Sequence, residues 1–326
     1  MAGTSDWELR ELADADVPSL LACQRASFGE RAKTAEQLRW AAGPPGTSQR
    51  AVVAVRDCRV VAACAGIPAR TWVGGEERTC VQLVDLMVHP DERGGLAGGR
   101  LYRGVAAAFF ELYGAQGGDA VHYGWPIPAA RRLGERYLEY AFVREELVLV
   151  RSLEGELAEA PEAVEVLEDF GEDLRWLWDR CTTDFAAATV RDAAWARWRF
   201  LQRPGVDYLA LGVRRGGHLR GLAVLRTTAW DWPGVLPLVD WLVPSAEPEV
   251  ADLLEAAVAR AARRAGAERV ATLVPPTHAA FAGLQERGWC ARPSPYTLFL
   301  RSFTAGIDAD LWRDGAWLTL ADTDLA

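Results

Sequence analysis

An apolar run from Val81 to Val88 halts at Pro90, and glycines at 94, 95, 98 and 99 follow before Arg100. Beyond them, Leu101 to Tyr113 carries apolar residues at helical spacing. The pattern predicts a strand, a turn with almost no side chains, and the start of an amphipathic helix. The first turn of a helix holds amides without internal partners and the positive end of the helix dipole. Small residues there let an anion approach those amides closely, so the arrangement is a natural pyrophosphate cradle.

Spacing narrows the ligand. The glycines match a dinucleotide-binding Gly-x-Gly-x-x-Gly only in part, and no Gly-Lys-Ser/Thr follows, which excludes a P-loop. Val88-x-Pro90-x-x-Arg93-x-x-Leu96-x-Gly98-x-x-Leu101 resembles the acyl-CoA loop of the GNAT acyltransferase superfamily. That signature reads Val-x-Pro-x-x-Arg/Gln-x-x-Gly-x-Gly/Ala and closes on a leucine. Leu96 stands where the family has glycine, with Gly95 one residue away. The resemblance implies acetyl-CoA or another acyl-CoA as donor, held by Met87, Val88, Arg93, Gly94, Gly95, Leu96, Ala97, Gly98 and Gly99.

Bulk properties bound the alternatives. At 326 residues, half of them apolar and a quarter charged, the chain suits two ordinary globular domains. A net charge of −9 argues against a nucleic-acid partner, and no apolar stretch is long enough to predict a membrane span. No export signal is visible at the N-terminus. The six cysteines form no Cys-x-x-Cys pair and lack histidines at metal-ligand spacing, which points to buried thiols in a reducing cytoplasm. Lys33 is the only lysine among 36 lysines and arginines, which reads as the codon bias of a GC-rich bacterium.

The two halves repeat weakly. Leu83-Val-Asp-Leu-Met-Val-His-Pro90 reappears as Leu238-Val-Asp-Trp-Leu-Val-Pro244, and Pro126-x-Pro128 is echoed by Pro275-Pro276. Periodicity predicts a helix at 17–28, another near 35–42, strands at 51–56, 60–67, 71–73 and 80–88, then the glycine turn and a helix from Leu101. Strand 120–125, helix 129–140 and strands over 142–153 complete the first half. The second half runs through helices 173–183 and 190–201, strands 207–214, 219–227 and 235–243, helix 249–265, strand 268–273 and helix 277–287. This order is similar to that of the GNAT fold. It implies an α/β chain of two tandem GNAT-like domains, each a mixed, mostly antiparallel sheet flanked by helices. The expected boundaries are 1–153 for the acyl-CoA domain, 154–162 for a linker, 163–302 for a degenerate copy, and 303–326 for a tail.

Only the first copy keeps the glycines. The second has Pro244-Ser-Ala-Glu-Pro-Glu-Val250, whose acids would repel a diphosphate. Family members carry a tyrosine five residues before the phenylalanine that opens the next strand. Tyr137 precedes Phe142 by that step, whereas Leu284 precedes Trp289. The resemblance therefore implies Tyr137 as general acid to the departing thiolate. For the base, Asp85 lies where the family often has an acid, although Asp240 repeats it in the second copy. His122 is the other candidate, beside the structural role more usual for a strand histidine. Of 14 tryptophans, Trp195 and Trp198 fall on the expected helix 190–201 with Arg191, Arg197 and Arg199, either as a core stripe with solvated arginines, the favoured reading, or as aromatic and guanidinium faces for a sugar or an anionic substrate tail. Trp312 and Trp317 imply a docked tail.

Together these features predict an N-acetyltransferase acting on a small amine or amino sugar, with a homodimer possible. The alternatives are a non-catalytic acyl-CoA-binding module, in which Leu96 impairs turnover, and an acyltransferase that takes its acyl group from a carrier protein.

Overall fold

The computed structural model describes residues 7–156, 163–228 and 230–324; the side chain of Leu96 lies outside the described residues. The chain opens with β1 (Glu8–Glu11), α1 (Val17–Phe28), α2 (Ala35–Trp40), β2 (Arg50–Arg56), β3 (Arg59–Val73) and β4 (Glu76–Val88). Next come α3 (Gly95–Phe109), β5 (Val121–Gly124), α4 (Pro128–Tyr137), β6 (Ala141–Ser152) and β7 (Val164–Leu167). They are followed by α5 (Asp173–Cys181), β8 (Ala187–Thr189), α6 (Ala193–Ala196), β9 (Tyr208–Arg215), β10 (His218–Arg226) and β11 (Val235–Leu242). The chain closes with α7 (Pro248–Arg264), β12 (Arg269–Leu273), α8 (Ala279–Glu286), β13 (Cys290–Ser302), α9 (Ala309–Gly315) and β14 (Ala316–Trp317).

Contacts gather the described residues into two compact units that do not follow the two halves. The first comprises residues within 1–69, 78–142 and 298–309, the second those within 70–77, 143–297 and 310–326. The boundaries expected from sequence shift for one reason: each unit is completed by a strand from a distant part of the chain. Residues 299–302 of β13 pair with β5 in the first unit, while β6 pairs with β12 in the second. The expected tail likewise belongs to the second unit from residue 310 onward, where Trp312, Trp317 and Leu320 are buried. Of the expected linker, residues 157–162 lie outside the described residues.

In the first unit the strand order is β1-β2-β3-β4-β5-β13, antiparallel except where β4 runs parallel to β5. Alternation along the strands gives the sheet two apolar faces. Val52, Ala62, Cys64 and Val81 pack with Leu101, Val105 and Phe109 of α3. Val53, Val60, Ala63 and Met87 pack with Leu20, Cys23 and Leu38 of α1 and α2. The second unit has the order β6-β12-β11-β10-β9-β7, in which β11 and β12 run parallel, and off this path β14 runs parallel to β8.

Two local expectations change. Helix α3 begins at Gly95, six residues before Leu101, so the glycines form its first turn and not a loop before it. Glycine costs about 1 kcal/mol per position in a helix; burial of Leu101, Val105 and Phe109 against the sheet outweighs it. The expected helix 190–201 is broken into an irregular stretch at 190–192 that follows strand β8, the short α6 capped by the Asp192 carboxylate, and a wide turn from Arg197 to Leu201. Trp195 and Trp198 are core, but Arg191 and Arg199 are buried with them and only Arg197 is solvated.

Candidate functional site

β4 and β5 pair over three positions only, from Cys80 opposite Val121 to Gln82 opposite Tyr123. β4 then continues to Val88, whereas β5 ends at Gly124. The strands thus part at the C-terminal end of β4, opening its backbone to an added extended chain. Within the departing segment Asp85 adopts φ +49°, an uncommon conformation for a residue with a side chain, though one Asp tolerates better than most. Its carboxylate is what the surroundings grip. The Lys33 ammonium donates to both oxygens at 2.7 Å, and Gln24 Nε2 of α1 donates at 3.0 Å. Both members of the ion pair keep partial exposure, 16 % for the Lys33 side chain and 11 % for Asp85.

Met87 and Val88 bury their side chains, so only their backbone could serve a ligand. The Val88 carbonyl already accepts from Arg93 Nε at 2.9 Å, which folds the turn after Pro90 back onto the strand. That turn delivers Gly94, in extended conformation, as the cap of α3. No side chain caps the helix and no acidic residue lies in its first turn. The amides of Gly95, Leu96 and Ala97 therefore carry the unpaired positive end of the helix, and the Gly98 amide reaches the Gly94 carbonyl at 3.3 Å. Gly98 is required sterically: a Cβ there would lie 2.6 Å from the Arg93 carbonyl oxygen. At Gly99 a Cβ would meet nothing. Within the stretch 93–99, the helix thus leaves three amides, at 95–97, at its open end.

Tyr137 ends α4 and is 45 % exposed. The Arg103 guanidinium lies 4.5 Å from its ring centre and that of Arg136 lies 5.1 Å away. Arg103 also donates to the Gly99 carbonyl at 3.1 Å, so it ties the tyrosine to the glycine turn of α3. Sequence reasoning missed Arg103, Lys33 and Gln24; of these only Lys33 carried a signal, as the sole lysine.

His122 is a buried residue of β5. No part of its side chain is exposed; the ring packs at 4.7 Å from Phe303 and 5.1 Å from Phe109, with Nε2 3.1 Å from Asp119. Asp119 also holds Arg50. Burial depresses the imidazole pKa despite the carboxylate. The structure places the ring in the core, among Phe109, Phe110 and Phe303.

The corresponding region of the second unit is closed by its own side chains. Glu247 precedes α7, buried, with its carboxylate paired to Arg180 and Arg220. Those ion pairs outweigh desolvation and hold its pKa low. Asp240 on β11 accepts from Arg191 at 3.2 Å and from Thr319 Oγ1 at 2.9 Å; Arg191 also reaches Asp322 at 2.7 Å. Among the described residues no cluster of three or more potential metal ligands occurs, and no helix is long and apolar enough to cross a membrane.

Residues 8–137 match the acetyltransferase (GNAT) domain family. No curated protein matches the sequence. Solved structures share the fold. A GCN5-related N-acetyltransferase from Anabaena variabilis superposes with TM-score 0.67 at 16% identity, over 91% of this chain and 73% of that one. A conserved protein of unknown function from Enterococcus faecalis, described as a probable N-acyltransferase, gives 0.65 at 12% identity, over 91% and 73%. Saccharomyces cerevisiae N-myristoyltransferase with bound myristoyl-CoA gives 0.61 at 13% identity, over 92% and 83%.

Proposed function

We propose that this chain, which carries a GNAT acetyltransferase domain over residues 8–137, transfers an acyl group, preferably acetyl, from coenzyme A to the amine of a small molecule or amino sugar. The observation that carries the reading is the uncapped, acid-free N-terminus of α3 directly after the point where β4 leaves β5. An anion and an extended chain can be bound side by side there. In this reading the amides of Gly95, Leu96 and Ala97 hold the diphosphate, and the backbone at Met87 and Val88 holds the pantetheine arm. The donor supplies an activated acyl carbonyl.

The chain's own groups do the rest. Tyr137, exposed and fixed between Arg103 and Arg136, holds the proton that the departing thiolate needs. Asp85 stands at the parting of the strands as proton acceptor for the incoming ammonium. Its present partner, Lys33, is itself an ammonium, so the carboxylate is shaped for that ligand. His122 and the second unit take no step.

Calorimetry with coenzyme A and acetyl-CoA tests the donor site, and an amine screen read by thiol release tests transfer, with Tyr137→Phe as control. Heat with both ligands and release with an amine supports the reading. Heat without release for any amine makes the chain a binding module. Release only from an acylated carrier protein makes coenzyme A the wrong donor. Absence of heat removes the proposal.

A further inference from the structure

Lys33 is the single lysine of the chain, which uses arginine at every other permanently cationic position. Arginine pairs with carboxylates at least as well as lysine, but it cannot be deprotonated and so cannot serve as a nucleophile. The one ε-amine sits at the candidate site, 2.7 Å from both oxygens of Asp85, in a half-buried pair that solvent still reaches. Asp85 lies two residues before Met87, about 6–7 Å along a strand, within the segment that parts from β5.

We infer that Lys33 is a self-acylation site, and that its acylation releases Asp85 for the acceptor amine. The inference rests on the acyl-CoA reading above. Asp85 takes one proton from the Lys33 ammonium. The amine nitrogen then forms a bond to the thioester carbonyl carbon, the carbon–sulfur bond breaks, and the thiolate leaves with its electron pair. The amide nitrogen gives up a second proton. One of the two protons ends on the coenzyme A thiol, by way of Tyr137, and the other passes from Asp85 to solvent. The product is a neutral amide on residue 33, which no longer neutralises the carboxylate. An ammonium from the acceptor then takes the place Lys33 vacated. Acylation is thus a priming step, and the unmodified protein is in its closed state.

The test is to incubate the full chain with acetyl-CoA, follow intact mass, and locate the label by peptide mapping. The expected result is one acetyl group, on Lys33, with a lag in acceptor turnover that vanishes on preincubation. Asp85→Asn should slow labelling about a hundredfold or more. Should that variant fold poorly, Lys33→Arg and Lys33→Gln carry the test. Arg keeps the ion pair, takes no label and leaves turnover low; Gln takes no label and turns over without a lag. Calorimetric binding of coenzyme A with no acetyl on Lys33 overturns the inference and leaves the functional reading standing. Labelling at equal rate in urea-unfolded protein also overturns it, because the reaction is then uncatalysed. No binding of coenzyme A overturns both.

Discussion

Asp85 and Asp240 each follow Leu-Val at the end of a strand that parts from a parallel neighbour, yet they live in opposite surroundings. β4 leaves β5 after Gln82, and β11 leaves β12 after Leu238. At Asp85 one lysine and one amide grip a carboxylate that solvent still touches. At Asp240 a fully buried Arg191 is shared with Asp322, and Thr319 adds a hydroxyl. The helices that follow differ in the same sense: α3 starts with bare glycine amides, whereas buried Glu247, paired with two arginines, precedes α7. One backbone device is open to chemistry in the first unit and sealed by the chain itself in the second. Sealing consumes the charges that a ligand would otherwise use.

Removing the seal should have the largest effect. Arg191→Met leaves Asp240 and Asp322 as buried carboxylates without their cation, which costs about 3–5 kcal/mol. Denaturant unfolding should show that loss, and limited proteolysis should cut the chain near Thr319. Lys33→Met, at a pair that water reaches, should cost about 1–2 kcal/mol at most. Equal costs at the two sites would abolish the distinction between open and sealed.

Tyr137→Phe comes next. Loss of a general acid lowers turnover about a hundredfold, or about 2.7 kcal/mol of barrier, with coenzyme A affinity unchanged. A fall in affinity with no fall in turnover would assign the ring to binding. Gly98→Ala should weaken coenzyme A binding about tenfold, near 1.4 kcal/mol, because the new methyl collides with the Arg93 carbonyl and displaces the first turn of α3. Gly99→Ala meets nothing and should leave affinity intact while stabilising the helix by up to about 1 kcal/mol. If the two alanines behave alike, the cradle does not depend on close backbone approach.

How much of this was legible in the sequence follows from how far apart the interacting groups are. The strand, Pro90, the glycines and the amphipathic face of α3 are local, and the sequence displays them. The start of α3 was misplaced because glycine propensity argues for a loop, whereas the deciding contacts come from strands more than a dozen residues away. Lys33 and Asp85 are 52 positions apart, and Arg191 and Asp322 are 131 apart, so neither pairing leaves a periodic trace. The repeat showed that Asp240 matches Asp85; only packing shows that one is sealed. The mixed, mostly antiparallel sheets could be read from element order. The strand completing each unit could not, because it pairs with residues far away along the chain.

The smallest effect is a pH dependence that both units share. His122 in the first unit and His278 in the second are buried, and burial lowers the pKa of each. His278 has a second reason to stay neutral: its Nδ1 accepts from the Ala280 amide at 3.1 Å to cap α8, and protonation would remove that acceptor. The folded state therefore resists protons that the unfolded chain binds at about pH 6.5. A histidine with a depressed folded pKa contributes stability above the unfolded value and loses it as pH falls toward the folded one. The expected loss is at most about 0.7 kcal/mol per histidine between pH 7 and pH 6, the limit in which the folded ring takes up no proton. Glu247 titrates lower, but burial raises the carboxyl pKa of Glu255, so the histidine share of the profile below pH 6.5 is isolated by substitution. His122→Gln and His278→Asn should each flatten the stability profile by one proton's share. A profile already flat in the parent chain would mean that water reaches both rings, and with it that the core around Phe109 and Phe303 is looser than the structure places it.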